Sequence, residues 1–484
     1  MTFDLRAIVI FASAALLYAG LLPARARGWA LLIGSVIAIY WLQPPLPIRF
    51  SDFILPTATL LITIASWWFS RAPDQSSTRD DHITIGVIAA IVIALSLNRF
   101  IEADYRLTPS RPPDPIIVAL ALISISLVFA GMARLLRRRD QRRVLTGVIL
   151  ISVGLFVVLK TETLATEVSR LWRSLTGQDT SLAGVVDLNW LGFSYIAFRL
   201  IHTLRDRQTG ILPALSLREH VTYVIFAPSF VAGPIDRAER FAQDYRALPV
   251  IKGLDVDRIM LGATRITIGL FKKFVIADSL AQGLSLNAIN ASQINSAPGL
   301  WVLLYGYALR LYFDFGGYTD IAIGIGLLFG VKLPENFNRP YLKTHITAFW
   351  QSWHMTLSNW ARFYVFTPLS RWLLMREHRP SSTAIVLMSQ LATMITIGLW
   401  HGVTLNFFAW GVWHGIGLFI HKQWTDRTRK WYRGLKDKPT QKRLWTAVTW
   451  FATLQFVVIG WLWFALPDLG QSARLLVRLF GIGW

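Results

Sequence analysis

The chain has 484 residues, of which 54% are hydrophobic and only 16% charged, too apolar for a water-soluble protein with an ordinary polar surface. Its 49 lysines and arginines outnumber 28 aspartates and glutamates; in so apolar a chain this excess points to basic loops beside a membrane and away from nucleic acid. Cysteine is absent, which excludes disulfides, thiolate metal sites and a cysteine-bound acyl intermediate.

In chain order, the charge-free runs Ala7–Ala24, Phe53–Ser70 and Pro115–Ala133, and later Trp445–Leu466, each reach the length of about 18 residues needed to cross roughly 30 Å of hydrocarbon. The first run lacks a basic leader and is followed by further spans, so it reads as a retained helix and not as a signal peptide. Residues 1–160 are expected to form about six transmembrane helices. The cluster Arg134, Arg137, Arg138, Arg139, Arg142 and Arg143 is assigned to the cytoplasm, which puts the Arg25/Arg27 and Arg71/Arg79 loops on the same side and the N-terminus outside. Residues 161–187 form a polar, partly helical external connection.

From 188 to 421 the apolar segments shorten and carry Arg199, Arg265, Lys272, Lys273, Arg310, Asp314 and Asp320. Charge at membrane depth requires surrounding protein or water, so this region is expected to enclose something. "FGGYTDIAIGIGLLFG", 315–330, suits a re-entrant or tightly packed helix. Residues 333–376 mix tryptophan, tyrosine, arginine and histidine as interfacial amphipathic helices do. Residues 422–484 hold a loop, one transmembrane helix and a short amphipathic tail.

Three of the nine histidines, His354, His401 and His414, sit in apolar aromatic surroundings. On one continuous helix His401 and His414 would point about 220° apart, so at most one is central. A neutral imidazole can take a proton from a hydroxyl, which suits acyl transfer, while the competing role for each is hydrogen-bonded helix packing. With no local His pair and no Cys, metal binding is disfavoured.

Three stretches then follow in order: "FDFGGYTDIAIGIGLLFGVKLPENFNRPYL", "FWQSWHMTLSNWARFYVFTPL" and "IGLWHGVTLNFFAWGVWHG". With the upstream blocks "GFSYIAFRLIHTLRD", "FAPSFVAGPIDRAERF" and "KKFVIADSLA", they resemble the membrane-bound O-acyltransferases (MBOAT), notably the bacterial branch that includes alginate O-acetylase and the teichoic-acid D-alanyl transferase. The resemblance implies His401 as the catalytic residue, His354 as the second active-site histidine and a structural His414. Asn406, Ser358, Trp353, Trp400, Asn338, Arg339 and Arg362 complete the expected substrate-binding set. Where relatives carry Arg-Asp-Tyr or Arg-Asp-Phe, this chain has Arg362-Phe363-Tyr364. Asp320 favours the polysaccharide O-acetylase side of the branch.

The expected fold is an all-α polytopic membrane protein with about 11–13 transmembrane or re-entrant helices around a central funnel, plus interfacial amphipathic helices. The expected reaction moves an acyl group, foremost acetyl, from a cytoplasmic thioester, acyl-CoA or an acyl-carrier thioester, to an external hydroxyl, with no bound cofactor. Membrane lipids and an extracellular acyl-relay or transferase protein are the expected partners, in a bacterial inner membrane. The rival readings are a transporter or channel using buried His and Asp as a pathway, and a non-catalytic envelope-assembly scaffold. Asp314 and Asp320 are expected to pair with Arg310 or Lys332.

Overall fold

The computed structural model describes residues 4–71, 75–136, 139–251, 253 and 255–482. Arg137 and Arg138 of the basic cluster, and Trp484 at the end of the expected tail, lie outside the described residues. Within them every regular element is helical. Among the described residues six helices are long and apolar enough to cross a membrane: Ser51–Ser70, Arg79–Phe100, Pro115–Leu136, Gln141–Lys160, Ser382–His401 and Pro439–Ala465. The chain forms two compact units, Met1–Thr264 with Ala322–Leu333, and Arg265–Ile321 with Pro334–Trp484.

The first unit begins with α1 (Leu5–Leu21), α2 (Arg27–Trp41), α3 (Ser51–Ser70), α4 (Arg79–Ser96), α5 (Pro115–Leu136) and α6 (Gln141–Lys160). Helix α5 leaves most of its apolar side chains uncovered, with Ile116 and Val128 above 70% exposed, as a lipid-facing helix does. Then come α7 (Glu162–Leu175), α8 (Phe193–Gln208), α9 (Leu217–Val224), α10 (Ala238–Ala247) and the start of α11 (Val256–Leu270). Capping boxes at Thr78/Asp81 and Ser216/Glu219 start α4 and α9 by satisfying backbone N–H groups that have no partner inside the helix. The buried Arg199 of α8 serves the backbone: its guanidinium donates to the carbonyls of Tyr223, Val224 and Ser229 at 2.8–3.0 Å, gathering a segment that has no regular ladder of its own.

In the second unit α11 runs into a π-helical turn, Phe271–Ala277, then α12 (Asp278–Ala281), α13 (Ala288–Gln293) and the 32-residue α14 (Ala297–Leu328). The glycine-rich stretch after Phe315 is therefore part of a continuous helix and does not re-enter. Its glycines admit a close neighbour: a Cβ on Gly317 would lie 2.7 Å from the Gly269 carbonyl oxygen. Asp320 accepts from Arg265 and Lys272 at 2.6 Å, and Asp314 from Lys273 at 2.5 Å. This corrects the expected partners Arg310 and Lys332: the cations come from the α11 segment packed alongside.

The remaining elements are α15 (Ile346–Trp350), α16 (Met355–Ala361), α17 (Thr367–Leu374), α18 (Ser382–His401), α19 (Leu405–Gly434), α20 (Pro439–Gly460), α21 (Leu462–Ala465) and α22 (Leu469–Arg478). Helices α18 and α19 form a tight hairpin. A Cβ on Gly398 would lie 2.2 Å from the Phe407 carbonyl oxygen, and one on Gly411 would lie 2.7 Å from Met394 O, so these positions hold the two backbones in contact.

Candidate active site

His401 is the last residue of α18, and Gly402 breaks the helix with an extended backbone, φ 179° and ψ 144°. Thr404 then restarts the chain as α19 by accepting the Phe407 N–H at 3.3 Å. The assumption of one continuous helix through His401 and His414 is thus corrected, since the two lie on opposite limbs of a hairpin. His401 meets Trp400, Phe464, Phe407 and Trp410 at ring-centroid distances of 4.4–6.0 Å. His414 is fully buried, edge-on to Trp350 at 5.2 Å and tilted against Trp410 at 4.8 Å, a packing position.

His354 occupies the turn before α16 with φ 43° and ψ 52°, a left-handed conformation that costs a non-glycine residue about 1–3 kcal/mol. Asn336, fully buried, holds that turn. Its carbonyl oxygen accepts the Met355 N–H at 2.9 Å, while its side-chain Oδ1 accepts the Thr356 hydroxyl at 2.7 Å and the Thr356 N–H at 3.3 Å. Because the backbone N–H can only donate, the Asn336 atom facing it is the oxygen, which settles the amide orientation. The same oxygen lies 3.3 Å from His354 Nδ1, so that nitrogen carries the proton and Nε2 the lone pair. Nε2 is buried and has no hydrogen-bond partner among the described residues.

His354 and His401 come together along one small cavity of about 40 Å³, with Phe315, Trp353, Trp410 and Phe464 among its walls. Phe315 stands edge-on to His354 at 4.7 Å, and Trp400 bridges the two imidazoles, 6.0 Å from His354 and 4.4 Å from His401. The cavity is narrow, with room for no more than a few water-sized groups. A hydroxyl or a carbonyl group fits here, and a sugar ring does not. In such apolar surroundings hydrogen bonds and partial charges act with little screening.

Other expected residues are elsewhere. The Asn406 amide is buried and donates to the Leu466 carbonyl at 2.8 Å, tying α19 to the chain after α21. The Ser358 hydroxyl donates to the Trp353 carbonyl at 3.2 Å. Asn338, Arg339 and Arg362 are exposed and do not line the cavity. Asn336 was missed by sequence reasoning, although it stands two residues before Asn338 in the quoted stretch; among Glu335, Asn338 and Arg339 it is one polar residue of several, and the sequence carries no signal that singles it out.

Residues 140–464 match the family described as MBOAT, membrane-bound O-acyltransferase family. Among curated proteins, the teichoic acid D-alanyltransferase of Streptococcus thermophilus is 33% identical over 57% of this chain and 68% of its own length. A protein of Pseudomonas syringae named "Probable alginate O-acetylase AlgI" is 33% identical over 60% of the chain and 52% of its own length. The peptidoglycan O-acetyltransferase of Helicobacter pylori is 32% identical over 54% and 47% respectively. The chain thus spans about two thirds of the first relative and about half of the other two. With two histidines converging in an aromatic cavity, and with a family match that spans both of them, the chain belongs to the membrane-bound O-acyltransferase family and is a multi-pass membrane acyltransferase.

Proposed function

We propose that the chain moves an acetyl group from a cytoplasmic thioester to a hydroxyl of a cell-envelope polysaccharide, or of a lipid or relay protein that hands it on, across a bacterial inner membrane. The observation that carries this reading is the pair of imidazoles lining one narrow apolar cavity. Relatives named for alginate and for peptidoglycan O-acetylation support the acetyl group, and the relative named for D-alanyl transfer supports the wider acyl class. Residues 188–421 are taken as the catalytic core.

In this mechanism His401 removes the acceptor's proton as its oxygen attacks the thioester carbonyl carbon. The C–S bond breaks, and the departing sulfur takes the proton back from the imidazolium. His401 stands in the last turn of α18, where the helix's carbonyl end favours a cation. His354, with its lone pair on Nε2, accepts a hydrogen bond and so orients the acceptor; it does not donate to the oxyanion. Arg339 and Arg362, both exposed, meet the phosphates of a coenzyme A or carrier-bound donor.

The test is transfer of labelled acetyl from acetyl-coenzyme A in membranes holding matched amounts of wild-type, His401→Ala or His354→Ala protein. His401→Ala should lose about 10²–10⁴-fold in rate, the usual worth of a general base. Full transfer by both variants would refute the assigned roles, and transfer that needs an added acyl-carrier protein would reassign the donor.

A further inference from the structure

A second cavity in the second unit is separate from the histidine pair. It encloses about 670 Å³ along the distal half of α19, between that helix and the start of α20. Its apolar wall is aromatic: Trp445 stacks on Trp424 at 6.1 Å and meets Trp431 edge-on at 4.9 Å. At one end the rings of His345 and His421 lie parallel, 4.6 Å apart. The Ala348 N–H donates to His345 Nδ1 at 3.1 Å, so a neutral His345 carries its proton on Nε2 and is a donor to the cavity it lines.

Arg429 and Arg433 line the same cavity, and neither forms an ion pair among the described residues. The nearby acid, Asp426, is already held by Lys422 at 2.5 Å. From Lys422 to Arg443 the sequence carries nine lysines and arginines against two aspartates. An adjoining cavity that shares Thr344 and Thr446 adds Lys436, Lys442 and Arg443. The charge thus calls for an anion. The surfaces beside it call for hydrocarbon: Leu444, Val448 and Phe451 form an exposed stripe on α20, and Ile416, Ile420 and Trp424 another on α19. Because α20 lies in a segment long and apolar enough to cross a membrane, its stripe is placed for contact with acyl chains, and the α19 stripe runs beside it.

We infer that the trough between α19 and α20 is a binding site for an anionic glycerophospholipid, its phosphodiester on Arg429 and Arg433 and its chains along the two apolar stripes. A cation pair beside tryptophans at the hydrocarbon boundary recognises the charge of the headgroup and the length of the tail together, which neither a free phosphate nor a zwitterionic lipid satisfies. The inference stands independently of which acyl donor or acceptor is used.

Native mass spectrometry of the purified full-length protein, titrated with phosphatidylglycerol or phosphatidylcholine, tests it. Wild-type protein should retain one phosphatidylglycerol at least tenfold more tightly than phosphatidylcholine. The double change Arg429→Gln/Arg433→Gln should erase that preference while leaving phosphatidylcholine binding unchanged. Thr449→Trp, which fills the trough without touching charge, should remove the same lipid, and Lys422→Gln should not. Equal retention of both lipids, or unchanged retention in the arginine and tryptophan variants, overturns the proposal. Competition by inorganic phosphate alone, or displacement of the lipid by coenzyme A, would overturn it in favour of a soluble phosphate ligand.

Discussion

At the residue scale, Asn336 is the side chain on which the second histidine depends. It satisfies the Thr356 N–H and hydroxyl, and the same oxygen faces His354 Nδ1. Asn336→Ala removes the acceptor that serves the Thr356 N–H and hydroxyl, at about 0.5–1.5 kcal/mol per hydrogen bond, and frees the imidazole to change tautomer. The expected result is a kcat lowered about 10- to 100-fold with the KM for the acyl donor little changed. Thr356→Val removes one donor but leaves the oxygen facing Nδ1, so it should lower kcat by less than about threefold. Equal effects of the two substitutions, measured by initial rates at matched abundance, would mean that Asn336 merely stabilises the turn. The histidines themselves were legible in the sequence, because Trp-His-Met and Trp-His-Gly steps stand out in apolar text. Asn336 was not, because its importance comes from three donors brought together by a left-handed turn.

At the scale of elements, the hairpin of α18 and α19 decides where His401 sits. Placing His401 and His414 on one continuous helix ignores a break that the letters "LWHGVTLNFF" carry: Gly402 followed by Thr404, a residue that caps the next helix. The two limbs then close on glycine. Gly411→Val inserts three carbons where even a Cβ would lie 2.7 Å from Met394 O and from Ile395 Cα, atoms of the backbone that have no rotamer to escape into. The limbs must separate, and overpacking of this kind costs about 1–3 kcal/mol or more. A thermal midpoint lowered by several degrees in detergent, with acyl transfer lost in parallel, is expected. Gly434→Ala, where nothing lies within 4 Å of an added Cβ, is the matched control and should leave both unchanged. The carboxylates illustrate the same limit on reading a sequence. Asp314 and Asp320 were visible as costly charges, but a linear reading offers only neighbours such as Arg310, whereas pairing is chosen by helix contact.

At the scale of the whole molecule, composition and span length made the membrane class and the all-helical fold legible, because hydrocarbon thickness imposes a length that can be counted. The short helices α9, α10, α15 and α16 were less legible, since their burial comes from neighbours distant in sequence. The polar connection before residue 188 shows how such a segment contributes to stability outside the spans. Asp187 is buried against α7, where Arg173 grips both its oxygens at 2.5 and 2.8 Å and the Ser169 hydroxyl donates at 2.5 Å. Burial alone would raise its carboxyl, but the Arg173 and Ser169 hydrogen bonds and the Arg173 charge outweigh that and hold it below the ordinary carboxylate range. A carboxyl lowered on folding contributes stability that is present above its unfolded value, about 3.9, and lost as pH falls through the lower folded value. Asp187→Asn should therefore melt well below wild type at pH 7, and the gap between the two should narrow as pH falls below about 4, where wild type also gives up the charge. Melting curves of both proteins in the same detergent from neutral to acid pH decide this, and a gap that stays constant across the range would mean that the Arg173–Asp187 pair contributes nothing through its charge.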